Sequence, residues 1–331
     1  MQRIGWYCDV TPKPRQRILP LRYEQPPAPQ SPIGRIIWSL ILVVVLAAAS
    51  LHFFNPSSAR TSDAKLAWPK TGEAAIGIVG SGVLETHADQ TARPTASTAK
   101  LITALTILKK YPLQPGQSGP TLTMSRSDIE LMISNSAQNG SEIGKIFVGE
   151  QLSEYQMLQA MMLPSANNMA DSLAVWAYGS LPAYAAAANN YLASLGLHDT
   201  HVGIDASGLD PSTVSTAHDL VILGELAMQN RVLAEIVATP SVNGFPLVGT
   251  ITNVNTLLGQ DGIVGVKTGN SDEAGGVFVF AAEYTKPDGK KLVIVGAVQG
   301  LRDLQAALQA TKPLLHSAEQ SIDQGKLVAT H

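Results

Sequence analysis

Ser97-Thr98-Ala99-Lys100-Leu101-Ile102-Thr103-Ala104-Leu105 is the stretch from which the rest of the chain can be read. Leu101, Ile102, Leu105 and Leu108 recur at helical spacing, which predicts a helix starting at Ser97. Before it, Ala74 to Val79 and Val83 to Thr86 read as two strands joined by the turn Gly80-Ser81-Gly82. The hairpin leads through Arg93-Pro94-Thr95-Ala96 into the helix. Ser97 therefore stands at a helix start. Lys100, three residues on, lies on the same side.

Downstream the pattern stays helical. Ser153-Glu154-Tyr155-Gln156 has the form of a capping box, opening a helix to about Leu163. Pro164 stops that helix. Ser165-Ala166-Asn167 then falls in the connection to another apolar helix, Met169 to Trp176. Further helices are predicted over Ala183–Leu195, closed by Gly196, and Thr216–Gln229. The period then changes. Lys267-Thr268-Gly269 leads into the apolar run Gly276 to Ala282, Pro287-Asp288-Gly289 makes a turn, and Leu292 to Val298 returns. A last helix, about Asp303 to Ser317, would cover the sheet. Strands at both ends enclosing a helical block imply one discontinuous α/β domain over residues 73–318, with a tail at 319–331.

The N-terminal 72 residues read differently. Residues 1–35 are rich in Pro, Gln and Arg without an apolar period, and read as a disordered cytoplasmic tail. Residues 36–54, Ile36 to Phe54, are nearly all apolar and match the roughly 20 residues that span a bilayer. Trp38 and Phe53-Phe54 lie near the two ends, where aromatic rings favour the interface. Ala47-Ala48-Ala49 also offers a signal-cleavage site, but the leader before it is long, so an uncleaved transmembrane helix is the expectation. Residues 55–72 form a linker. Arg3, Lys13, Arg15, Arg17, Arg22 and Arg35 precede the span, whereas Arg60, Lys65 and Lys70 follow it, so the total favours an inside N-terminus.

Composition excludes several classes. A net charge of -3 gives no support for nucleic-acid binding. The single cysteine, Cys8, precludes an intrachain disulfide. The seven histidines are scattered and form no His-Glu-x-x-His, so neither a metal nor another cofactor is expected.

The three short motifs carry the chemistry. A serine hydroxyl needs a neighbouring base, and Lys100 would serve Ser97 if its amine were neutral. An unperturbed lysine titrates near pH ~10.4, so burial or a nearby cation must act on it. Lys267 is a candidate for that cation, and Asn167 for orienting the amine. The backbone N–H groups of Ser97 and Asn270 are candidates for an oxyanion hole. Each motif alone also reads as a cap or a turn. The ordered trio is what points to serine acyl transfer without histidine.

In that order, the motifs and their surroundings resemble the serine D-alanyl-D-alanine carboxypeptidases, low-molecular-mass penicillin-binding proteins of the DD-peptidase/β-lactamase-like superfamily. The resemblance covers roughly residues 73–312. It includes Pro94 to Leu105, Met161-Met162-Leu163-Pro164-Ser165-Ala166-Asn167, Ala206-Ser207-Gly208-Leu209-Asp210, Ser215 to Leu220, Thr252 to Leu258 and Gly262 to Gly269. It implies an antiparallel sheet flanked by helices, with a mostly helical inserted subdomain. It implies a peptidoglycan stem peptide as substrate and β-lactam antibiotics as covalent inhibitors. By the resemblance Ser97 is the acylated nucleophile, Lys100 the general base, and Ser165 and Asn167 relay and position the proton. Lys267, Thr268, Gly269 and Asn270 would bind substrate. The enzyme is then expected in the bacterial cell membrane, single-pass, with its catalytic domain extracytoplasmic. The N-terminal span would take the place of the C-terminal anchor of many relatives.

The chain departs from the family pattern at Asn168, where Asp is usual, at Ala99, where Thr is common, and at Asn270-Ser271. None removes a reacting group. Two other readings stay open, a β-lactamase-like hydrolase and a catalytically silent wall-binding protein. Against the first, residues 166–260 hold only Glu225 and Glu235, both in helical patterns.

Overall fold

The longest apolar runs near the C-terminus become neighbouring strands buried on both faces. The computed structural model describes residues 64–137 and 144–328. In chain order, β1 (Glu73–Ile78) and β2 (Gly82–His87) form the expected hairpin, and β3 (Arg93–Pro94) leads to a 3-10 turn at Ala96–Thr98 and to α1 (Ala99–Lys110). There follow β4 (Thr121–Thr123), α2 (Arg126–Ala137), β5 (Gln151–Ser153), α3 (Glu154–Met162), α4 (Asn167–Tyr178) and α5 (Leu181–Ser194). Next come β6 (Val214–Ser215), α6 (Ala217–Gln229), α7 (Arg231–Val237), β7 (Ser241–Phe245) and β8 (Gly249–Thr252). The chain closes with β9 (Ile263–Ser271), β10 (Gly275–Thr285), β11 (Lys291–Leu301) and α8 (Leu304–Asp323).

The main sheet has the order β2-β1-β11-β10-β9, and its pairings are antiparallel. Alternate residues of β10 serve different cores. Val277, Val279 and Ala281 join Leu220, Val221 and Leu223 of α6. Phe278, Phe280 and Ala282 join Leu314, Leu315 and Ala318 of α8. An antiparallel sheet covered on both faces has no solvent side, so its strands read as continuous apolar runs. Sequence ends thus build one sheet around the helical block, as expected.

Some boundaries differ. α8 runs to Asp323, six residues beyond the expected end at Ser317, and Leu327 is buried after it. The helix α4 begins at Asn167 itself, not at Met169. The 36–54 run and the 1–35 tail lie outside the described residues. Among the described residues, no helix is long and apolar enough to cross a membrane.

The helix that delivers the second motif is anchored by chemistry visible in the sequence. Ser153 caps α3 by accepting from Gln156 N–H, and Gln156 returns the bond to Ser153 N–H at 2.9 Å. Its first residue, Glu154, is fully buried, and neither carboxylate oxygen has a hydrogen-bond partner. Burial pushes its pKa up from 4.5 to about 7. A carboxyl that holds its proton more tightly when folded stabilises the fold below its unfolded pKa. That contribution is lost as pH rises through the folded value. Glu154 should therefore cost up to about 3 kcal/mol between acidic and mildly alkaline pH, at roughly 1.4 kcal/mol per unit. Denaturant unfolding of wild type should weaken over this window, and Glu154→Gln should flatten the dependence. Parallel pH curves for the two proteins would refute the assignment.

Candidate active site

Ser97 lies in the 3-10 turn and not in the first turn of an α-helix. The turn begins with Ala96 at φ +44° and is tied by Thr98 Oγ1 donating to the Thr95 carbonyl at 2.7 Å. Lys100 lies three residues on, in the first turn of α1, so the two side chains can meet. Lys100 Nζ sits 2.7 Å from Ser97 Oγ. It also donates to Asn167 Oδ1 at 2.7 Å and to the Ser207 carbonyl at 3.0 Å. The lysine is fully buried. Three distant segments therefore converge on one amine.

The second lysine is equally enclosed. Lys267, in β9, donates to Ser165 Oγ at 2.9 Å and to the Thr268 carbonyl at 3.1 Å. Ser165 has φ +68°, a conformation that costs a non-glycine residue energy and is often found at functional sites. Only Ala166 separates Ser165 from Asn167, so the Lys267 and Lys100 clusters share one short stretch of backbone. Each lysine holds one motif serine. Thr268 is buried beside Lys267.

Close backbone approach explains two glycines. A methyl group on Gly269 would stand 2.9 Å from the Thr95 carbonyl and 3.2 Å from Ser97 N. One on Gly208 would stand 2.1 Å from the Ala96 carbonyl and 2.7 Å from Ala99 Cβ. The edge strand β9 on one side and the 206–208 segment on the other thus clamp the turn bearing Ser97. Ala99, one of the departures, is buried, and its Cβ is among the atoms a side chain at Gly208 would strike. Asn270 turns its side chain outward, and its Oδ1 accepts Leu304 N–H at 2.9 Å at the start of α8. Ser271 Oγ accepts Ala274 N–H at 3.0 Å in the following turn.

The sequence motifs locate every one of these side chains, and the structure brings Ser97, Lys100, Ser165, Asn167, Lys267 and Thr268 together. They do not reveal that a main-chain carbonyl, at Ser207, is an acceptor for Lys100. Its only sequence signal is Asp205-x-Ser207-Gly208, an Asx-turn pattern. Asp205 accepts from Ser207 N–H at 3.2 Å, Gly208 N–H at 2.8 Å and Asp210 N–H at 2.8 Å. The two glutamates open to a deacylating role are occupied elsewhere. Glu225 accepts from Gly80 N–H at 2.8 Å, and Glu235 accepts from the Tyr155 hydroxyl at 3.0 Å.

Comparison with known proteins identifies the family. Residues 76–297 match the family model described as D-alanyl-D-alanine carboxypeptidase. The chain is 33% identical over 231 residues to D-alanyl-D-alanine carboxypeptidase DacB2 of Mycobacterium tuberculosis, covering 66% of this chain and 72% of that one. It is 30% identical over 221 residues to a D-alanyl-D-alanine carboxypeptidase of a Streptomyces strain, covering 61% and 73%. The crystal structure of the Streptomyces K15 DD-transpeptidase superposes with a TM-score of 0.64 at 26% identity, over 76% of this chain and 97% of that one. With its fold, its ordered motifs and two thirds of its length in agreement, the chain belongs to the D-alanyl-D-alanine carboxypeptidase family, and it is a serine-type DD-carboxypeptidase.

Proposed function

We propose that this carboxypeptidase removes the terminal D-alanine from peptidoglycan stem pentapeptides through an acyl-enzyme on Ser97. The observation that carries the reading is the 2.7 Å contact between Ser97 Oγ and the buried Lys100 amine. Asn167 Oδ1 and the Ser207 carbonyl can only accept. In the neutral amine two N–H groups serve them, and the lone pair is left facing the Ser97 hydroxyl. Lys100 takes the hydroxyl proton as Oγ attacks the carbonyl carbon of the penultimate residue. The Ser97 and Asn270 N–H groups hold the developing oxyanion. The proton passes to the leaving D-alanine amine, with Ser165 as relay, and water then hydrolyses the ester. β-Lactams enter the same first step and acylate Ser97.

β9 is the sheet's edge strand, which suits pairing with an extended peptide. Lys267 and Thr268 on that strand are suited to the substrate's terminal carboxylate, because an ammonium beside a hydroxyl makes a charge-assisted pair. The apolar run at 36–54 anchors the chain in the bacterial cell membrane, with residues 55–331 extracytoplasmic. Its hydropathy and the external location of peptidoglycan support that arrangement.

Labelled penicillin should mark the wild-type protein, and Ser97→Ala and Lys100→Ala should each abolish labelling. Mass spectrometry of treated muropeptides should show pentapeptides losing one alanine. Equal labelling of Ser97→Ala would remove the nucleophile assignment. Lys267→Gln should lower kcat/KM for a substrate with a free C-terminal carboxylate roughly ten- to a hundredfold, the cost of a lost charged hydrogen bond. The same substrate carrying a C-terminal amide should suffer much less. An unchanged acid-to-amide ratio would leave Lys267 only as a partner of Ser165. In cells stripped of outer barriers, added protease should digest the catalytic domain. Its protection would reverse the proposed topology.

A further inference from the structure

α4 buries a carboxylate one turn beyond Asn167. Asp171 is 3% exposed, in a helix whose other buried residues include Met169, Ala170, Leu173 and Ala174. Asp171 Oδ2 accepts from Asn135 Nδ2 of α2 at 2.9 Å, and Oδ1 accepts from Ala206 N–H at 2.9 Å. Both partners are donors, so the pocket suits the ionised acid. An amide at this position could still receive Ala206 N–H, but would turn its own N–H groups toward Asn135 Nδ2.

Ala206 is the residue before Ser207, whose carbonyl receives Lys100. Its own carbonyl receives Thr103 Oγ1 at 2.6 Å, from the turn of α1 after Lys100. The residue is thus gripped at N–H by α4 and at C=O by α1. We propose that Asp171 is a positioning residue for acylation: by holding Ala206 N–H it sets the Ser207 carbonyl on Lys100, and so aims the amine at Ser97. Its charge has a second effect. Once Lys100 has taken the serine proton it is a buried cation, and a nearby anion stabilises it. The groups facing this anion are Lys100 on α1, Asp205 in the adjoining loop and Tyr184 on α5. Burial, chiefly, and Asp205 push Asp171 up to about 6, while Asn135, Ala206 N–H and Lys100 act against them. Asn135 Nδ2 and Ala206 N–H, both donors, favour its ionised form.

The inference rests on Lys100 being the base for Ser97. Should that reading fail, Lys100→Ala would keep its penicillin labelling, an outcome independent of any variant at Asp171. The test is the second-order rate of acylation of the full chain by a fluorescent penicillin, measured across pH alongside thermal unfolding. Asp171→Ala should lower the plateau rate about ten- to a hundredfold, the scale expected when a reacting group is displaced by about an ångström. Its acid limb should also move to lower pH, because the protonated amine has lost an anion. The exchange Asp171→Asn with Asn135→Asp keeps an acceptor for Ala206 N–H and a donor–acceptor pair between the helices. It should recover most of the plateau rate. A folded Asp171→Ala protein with a wild-type rate would overturn the proposal. So would a rate that falls only with the folded fraction while the limb stays fixed, or a folded exchange variant that recovers nothing.

Discussion

A lysine amine held in the interior is the constraint around which this molecule is built. An ammonium ion so placed costs several kcal/mol unless hydrogen bonds replace its water. At Lys100 the replacements come from Ser97, Asn167 and Ser207, up to 107 residues from it in sequence. The domain's topology follows from that demand. The hairpin at one end of the chain delivers the turn bearing Ser97, the helical block delivers Asn167 and the 205–208 loop, and the returning sheet closes the remaining side. Loss of register in any of them would leave a buried polar group unpaired.

The sheet contributes more than a floor. β9 runs along its edge, and Gly269 lets that strand press against the backbone of Thr95 and Ser97. Gly208 lies equally close to Ala96 and Ala99. A side chain at either glycine would push the turn away and lengthen the 2.7 Å contact on which proton transfer depends. The conformational cost of the turn, visible in positive φ at Ala96, is thus offset by close packing.

Much of this was legible beforehand because local chemistry and global fold agree. The Ser153–Gln156 capping box, the Gly80-Ser81-Gly82 turn and the Pro287-Asp288-Gly289 turn each fix an element end by short-range rules, and each stands where it was expected. The motif side chains were legible for the same reason. What escaped depends on partners remote in sequence. Short pairings such as β4 with β5 and β7 with β8 carry too few residues to show a period. The Ser207 carbonyl is a backbone group, invisible to any reading of side-chain types. The 3-10 character of the Ser97 turn arises from Ala96 entering at positive φ, which no property of alanine announces.

The departure at Asn168 has a physical reason that bears on the site. Its Oδ1 accepts from Gly144 N–H at 2.7 Å, and its Nδ2 donates to the Gly144 carbonyl at 2.8 Å. An amide matches both groups of that residue. A carboxylate would match only the N–H and would set an anion against the carbonyl oxygen. With Gly144 in this position, the aspartate usual in the family would leave one buried pairing repulsive. The buried carboxylate of this helix stands one turn on, at Asp171, where the two groups it meets both donate. Neighbouring positions on one helix have thus divided two tasks. Asn168 ties Gly144 to α4, and Asp171 ties α2 and Ala206 to the same helix.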